Sequence, residues 1–192
     1  MKREDWIYVL PLDAKSGVLC VGEGAARMSV PLSRVVDRVV VDGASPIRQR
    51  TPFRSEAFDL VFCAESSGFP ASFMEELKGL VRPGGWVVLV VRPWQRWIPR
   101  AHTFWVRTLK KAGWGPARSY WVYPDFHNCR WVMPLDDREN VVACLNLLIR
   151  DRPLLRQAGC RFLSALVRSG FSPGLFAANV MVMARDDASG HT

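Results

Sequence analysis

Four apolar runs punctuate the first half of the chain: SGVLCVG (16–22), DRVVVDG (37–43), FDLVFCAE (58–65) and GWVVLVVRP (85–93). Each predicts a strand, and the third, nearly all apolar, one buried on both faces. Between the third and fourth, SFMEELKGLV (72–81) sets Phe73, Leu77, Leu80 and Val81 at helical spacing, and RPGG stops the helix. Strands alternating with helices predict an α/β fold, a mostly parallel sheet with helices on both faces. Ligands of such sheets bind beyond the carboxyl ends of the strands, near the topological switch point. Gly22–Ala26, Asp42–Ala44 and Ala64–Gly68 are therefore expected around one crevice.

The first strand runs into a glycine turn and then a helix, VLCVGEGAARMSVPL (18–32). Glycine lets a backbone approach a ligand where a side chain would collide. The N-terminus of the helix behind it offers unpaired N–H groups to an anion. Ala25-Ala26 stand where a further glycine is common, and Cys20 where an acid often sits. Pro31 is expected to bend or shorten the helix, because an interior proline removes a donor. Beyond residue 93 the rhythm changes. A helix is predicted at HTFWVRTLKKAG (102–113) and a strand at ARSYWVYP (117–124), followed by an irregular loop through DFHNCRWVMPLDD. Helices at about 137–150 and 153–168 form an insertion before a last strand, FAANVMVMARD (176–186). The whole chain reads as one domain: a cofactor half at 16–93, a substrate and cap region at 94–175, and the last strand.

Composition narrows the class. About half of the 192 residues are apolar, and no apolar run reaches the ~18 residues that span a bilayer. The N-terminus lacks a cleavage pattern, so a cytoplasmic location is expected. The five cysteines form no CxxC pair and no cluster with histidine at metal spacing. They read as free thiols in a reducing compartment, and no metal site is expected. The net charge of +8 suits phosphate-bearing or membrane-surface substrates as well as an ordinary basic surface.

VLCVGEG, VVVDGAS, RTPFRSEAFDLVF and LKGLVRPGGWVVLVV, in this order over residues 16–93, resemble the successive motifs of class I S-adenosylmethionine-dependent methyltransferases. The third is similar to that family's L-P-F…F-D-L-V signature, and the fourth to its R-x-L-[KR]-P-G-G segment. Trp6 to Leu12 matches W-x-x-x-L-P-L, which stands before the first strand in some small-molecule and saccharide methyltransferases. The resemblance implies a Rossmann-like, seven-stranded sheet whose last strand is antiparallel, with YWVYP and NVMVMAR as strands six and seven. It implies S-adenosylmethionine as cofactor, held by Gly22, Glu23 and Gly24, with Asp42 on the ribose hydroxyls and Glu65 on the cofactor amine. Only eight residues, GASPIRQR, separate Asp42 from the TPF segment, where the family fits another helix and strand. The adenine contacts are then expected from Ser45, Ile47 and Phe53.

Methyl transfer depends on positioning, and on a general base where the nucleophile carries a proton. Glu65, His127 and Tyr123 are the candidate bases, with His102 and Asp125 among the later polar residues. RPWQRWIPRAHTFWVR (92–107) interleaves four arginines with three tryptophans, which suits phosphate contact with stacking or a membrane interface. The expected activity is methyl transfer to a small molecule or a saccharide-type biosynthetic intermediate. The alternatives are a catalytically inactive, methyltransferase-like binding protein with a partner in a biosynthetic complex, and, ranked lower, an RNA-directed methyltransferase. Peripheral membrane contact is compatible with each.

Overall fold

The computed structural model describes residues 4–43, 57–64, 70, 72–91, 102–149, 154–173 and 177–187. A short 3-10 turn, Asp5–Val9, precedes β1 (Gly17–Val21), α1 (Ala25–Leu32), β2 (Arg38–Asp42) and β3 (Phe58–Cys63). These are followed by α2 (Phe73–Leu80), β4 (Val81–Val91), α3 (His102–Lys111), β5 (Arg118–Tyr123) and β6 (Trp131–Pro134). Helices α4 (Arg138–Ile149) and α5 (Leu154–Arg168) then lead to β7 (Val180–Arg185). The strands form one sheet in the order β2-β1-β3-β4-β7-β5-β6. β1 to β4 pair in parallel; β7 runs antiparallel to both β4 and β5. YWVYP and VMVMAR are thus adjacent strands, the second reversed, as the resemblance implies. Among the described residues no strand lies outside β2.

Every residue of β1 is buried, because the central strands are covered on both sides. One apolar cluster packs α2, α3, α4 and α5 on the first face through Met74, Leu77, Trp105, Leu109, Val141 and Val167. The other holds Trp6, Ala25, Met28 and Leu32 of the 3-10 turn and α1 against Cys20, Phe62 and Val90. α1 stops one residue after Pro31, in keeping with the missing donor.

Two sequence expectations need correction. Val81 does not end α2; it begins β4 and pairs with Phe58. The pairing then jumps to Leu60 opposite Trp86, so RPGG forms a bulge inside the strand and not a separate turn. Gly84 takes φ 78° there, and Gly85 passes so close to Val81 and the Asp59 carbonyl that no side chain fits. The predicted loop DFHNCRWVMPLDD contains a strand, since Trp131–Pro134 pairs with β5 in an antiparallel hairpin. Its proline is tolerated because β6 is an edge.

Asp59 holds the amino-terminal end of the sheet. Its Oδ2 accepts the Gly17 N–H at 2.6 Å and its Oδ1 pairs with Arg82, tying β1, β3 and β4 together. The opposite end is level: Val21 stands beside Asp42 and Cys63, and Cys63 beside Leu89.

Candidate functional site

At this level edge β1 ends and the chain turns. Gly22 adopts φ 99°, a conformation that side chains rarely take, and its N–H donates to the main-chain oxygen of Asp42 at 3.1 Å. The bond fixes the glycine turn to the tip of β2. Gly24 is the N-cap of α1, and no side chain caps that helix end. Ala25 is fully buried against the underside of the sheet, so its methyl packs the helix and does not enter the ligand side. Cys20 lies in the same cluster, where burial pushes its thiol up to about 12. It acts as an apolar core residue and carries no charge at neutral pH.

A crevice of about 190 Å³ opens at this end of the sheet, lined by Glu23, Gly24, Arg27, Ala64, Val90 and His127, with Met28 beneath. Glycine turn, α1 and the tips of β3 and β4 thus meet a histidine from far along the chain. His127 is half-buried and sits in the loop between β5 and β6. That loop is held firmly. Asp125 Oδ1 accepts the N–H groups of His127 (2.7 Å) and Asn128 (2.9 Å), and Asn179 Nδ2 donates to the Pro124 carbonyl at 2.8 Å. Trp6, fully buried, donates its Nε1 proton to the Phe126 carbonyl at 2.8 Å. Its ring lies 5.3 Å from that of Phe62 and 5.7 Å from that of Phe126. A bridge between Glu4 and Cys129 closes the same contact.

Of the candidates read from the sequence, Glu23, Gly24 and His127 line the crevice, and Gly22 and Asp42 stand at its edge. Tyr123 is placed elsewhere: its ring meets Trp121 edge-on and packs with the cluster on the opposite face of the sheet. His102 is buried at the start of α3, where burial lowers its pKa and Asp136 opposes the shift. Glu65, Ser45, Ile47, Phe53 and residues 92–101 of the arginine–tryptophan stretch lie outside the described residues. Sequence reasoning missed Arg27 and the structural work of Asp125 and Trp6. The W-x-x-x-L-P-L match was the one signal for Trp6. Among the described residues no three His, Cys, Asp or Glu side chains gather at metal-binding distance, and no helix is long and apolar enough to cross a membrane.

No protein-family model matches the chain, and no curated protein matches it. Solved structures do. The chain is similar to a protein described as a methyltransferase, in complex with the Haloferax volcanii Trm112 methyltransferase activator: 15% identity, 94% of this chain and 86% of that one, TM-score 0.53. It is also similar to a protein of Bacillus halodurans described as a methyltransferase, at 14% identity over 94% and 96% of the two chains, TM-score 0.51. A SAM-dependent methyltransferase of Thermotoga maritima aligns at 11% identity over 94% and 86%, TM-score 0.50. Identities this low speak to architecture alone. With the strand order and the reversed β7, they show that the chain has the Rossmann-like fold of class I methyltransferases.

Proposed function

We propose that the protein binds S-adenosylmethionine at the carboxyl ends of β1 to β4 and transfers its methyl group to a small molecule or a saccharide-type biosynthetic intermediate. The observation that carries this reading is the convergence of the glycine turn, the uncapped start of α1 and His127 on one crevice. The residues present fit the cofactor. Gly22 and Gly24 leave backbone room for its methionine part, and the start of α1 meets the carboxylate. Asp42 would accept hydrogen bonds from the ribose hydroxyls; Glu65, expected on the amine, lies outside the described residues. The bound cofactor supplies an electrophilic methyl group. His127 accepts the proton of the attacking hydroxyl or amine, oriented by the Asp125 turn and the Trp6 anchor. Arg27, beside it, faces an anionic group of the acceptor. A partner protein is part of the proposal, since one structural neighbour works in complex with an activator.

Calorimetric titration with S-adenosylmethionine and S-adenosylhomocysteine tests this. Saturable binding is expected, and Gly22→Leu abolishes it while the protein stays folded. Absence of heat at millimolar cofactor with folded protein overturns the enzyme reading in favour of an inactive binding module.

A further inference from the structure

The two edges of the sheet differ. β6, at one edge, is four residues long and ends in proline, and the Glu4–Cys129 bridge lies just before it. Short strands and prolines are the usual protection of an exposed edge. β2, at the other edge, has neither proline nor bulge and pairs with β1 residue by residue from Arg38 to Asp42. It is the one strand of the sheet with no buried residue, and Val41 in its valine run is 44% exposed. Among the described residues no strand pairs with its outer side.

The direction of its main-chain groups is set by one bond. The Asp42 carbonyl accepts the Gly22 N–H and so points towards β1. Successive residues of a strand turn their N–H and C=O groups to opposite sides. Arg38, Val40 and Asp42 therefore spend theirs on β1, whereas Val39 and Val41 present theirs outward, to water or to a partner.

The sequence of the strand, RVVVD, is its own electrostatic complement. Laid antiparallel on a second copy with Val40 opposite Val40, it sets Arg38 of each copy opposite Asp42 of the other and Val39 opposite Val41. Val39 and Val41 then exchange their outward N–H···O=C bonds. Arg38–Asp42 and Val40–Val40 become the non-hydrogen-bonded pairs, whose side chains come closest, with Cβ atoms about 5 Å apart. Centring the pair on Val39 or Val41 would leave both charges opposite apolar residues: Val40 and Val36, or Ala44 and Val40. Arg38 is exposed, makes no ion pair among the described residues, and is held 5.5 Å over the Phe58 ring. A guanidinium stacked by its face keeps its N–H edge for a carboxylate.

We propose that two copies of the chain pair β2 to β2, antiparallel about a two-fold axis at Val40, and join their sheets into one. The interface is independent of the methyl-transfer reading: calorimetry with the cofactor tests that reading, and the oligomeric state tests this one.

The experiment is sedimentation equilibrium of the full chain, with circular dichroism to show that each variant is folded. A dimer is expected. Arg38→Asp sets like charges opposite each other at both ends of the contact and should weaken the dimer roughly thirty-fold. The exchange Arg38→Asp/Asp42→Arg restores both pairs and should recover the parent's affinity. Under mild oxidation Val40→Cys should link two copies by a disulfide beyond any linkage in the parent, and Val39→Cys, which faces Val41, should not. A chain that stays monomeric up to millimolar concentration overturns the proposal. A dimer that Arg38→Asp leaves intact, a folded exchange variant that stays monomeric, or a dimer that Val40→Cys does not link overturns it as well, since each moves the contact to another surface or register.

Discussion

Trp6 stands 120 residues in sequence from the carbonyl it holds, so replacing it tests whether the N-terminal turn organises the far side of the crevice. Trp6→Phe keeps an aromatic ring but removes the Nε1 proton. The Phe126 carbonyl then stays buried without its partner, a loss of ~1–3 kcal/mol. The smaller ring also opens space beside Phe62 and Phe126, for about another 1 kcal/mol. Urea unfolding followed by circular dichroism should therefore report a loss of roughly 3 kcal/mol with an unchanged denaturant slope. Hydrogen exchange should rise locally in residues 125–130, where the His127 and Asn128 amides are held by Asp125. Trp6→Ala should cost ~3–5 kcal/mol, as expected for emptying a fully buried tryptophan site. A Trp6→Phe loss below about 0.5 kcal/mol, with loop exchange unchanged, would refute the anchoring argument.

Gly85→Ala should destabilise the fold by roughly 1–3 kcal/mol, because its Cβ would lie 2.5 Å from Val81 Cγ1 and 2.8 Å from the Asp59 carbonyl. A melting temperature equal to that of the parent chain would contradict the bulge geometry. His102 titrates below its ordinary 6.5 because burial disfavours its charged form, despite the opposing pull of Asp136. The unfolded chain thus takes up the proton first, and stability falls as pH drops below about 6.5. His102→Gln should flatten that decline, and parallel melting curves for both proteins from neutral to mildly acidic pH would exclude it. Burial pushes the Cys20 thiol up to about 12 and that of Cys129 up to about 11, with Cys63 well above its ordinary value. A thiol reagent should label the half-buried Cys144 and Cys160 first and these three only on unfolding. Fast labelling of Cys20 in folded protein would show that β1 is more open than its packing implies.

The strand–helix alternation was legible because β1, Leu60–Cys63 of β3 and Val87–Val91 of β4 are covered on both sides, so these stretches are apolar without interruption. β6 was not. Trp131–Pro134 lies between Asn128 and two acids and ends in proline, all of which signal a loop when read locally. It is a strand because β5 presents a free edge, and pairing with a distant edge leaves no mark on four residues. Val81 was misread for a related reason. It continues the helical spacing of Leu77 and Leu80, yet the bulge that Gly84 and Gly85 permit allows β4 to start there. Tyr123 shows a third limit. A strand position has two possible faces, and which one it takes depends on the pairing of β5 with β7, which the sequence does not reveal.

The motifs with the strongest likeness to methyltransferases lie at the end of the sheet that ligands do not reach. Asp59 of the F-D-L-V signature bonds Gly17 and Arg82, and RPGG shapes the start of β4; both set strand register. The proposed cofactor site lies instead at the opposite end, where the likeness is thinner: Gly22, Gly24, Asp42 and the loop of His127. A family resemblance weighted toward Asp59 and RPGG therefore reports the fold, whereas the proposed activity would turn on residues 22–28 and 124–130. The two should separate by mutation. Asp59→Ala leaves the Gly17 N–H and Arg82 without their acceptor, so it should lower stability by ~1–3 kcal/mol while cofactor affinity per folded molecule is kept. Gly22→Leu should do the reverse in binding, losing the cofactor at a strain of only about 1–2 kcal/mol from its φ of 99°. If both variants lost stability and affinity in proportion, register and site would be one cooperative unit, and the division drawn between the two ends of the sheet would fail.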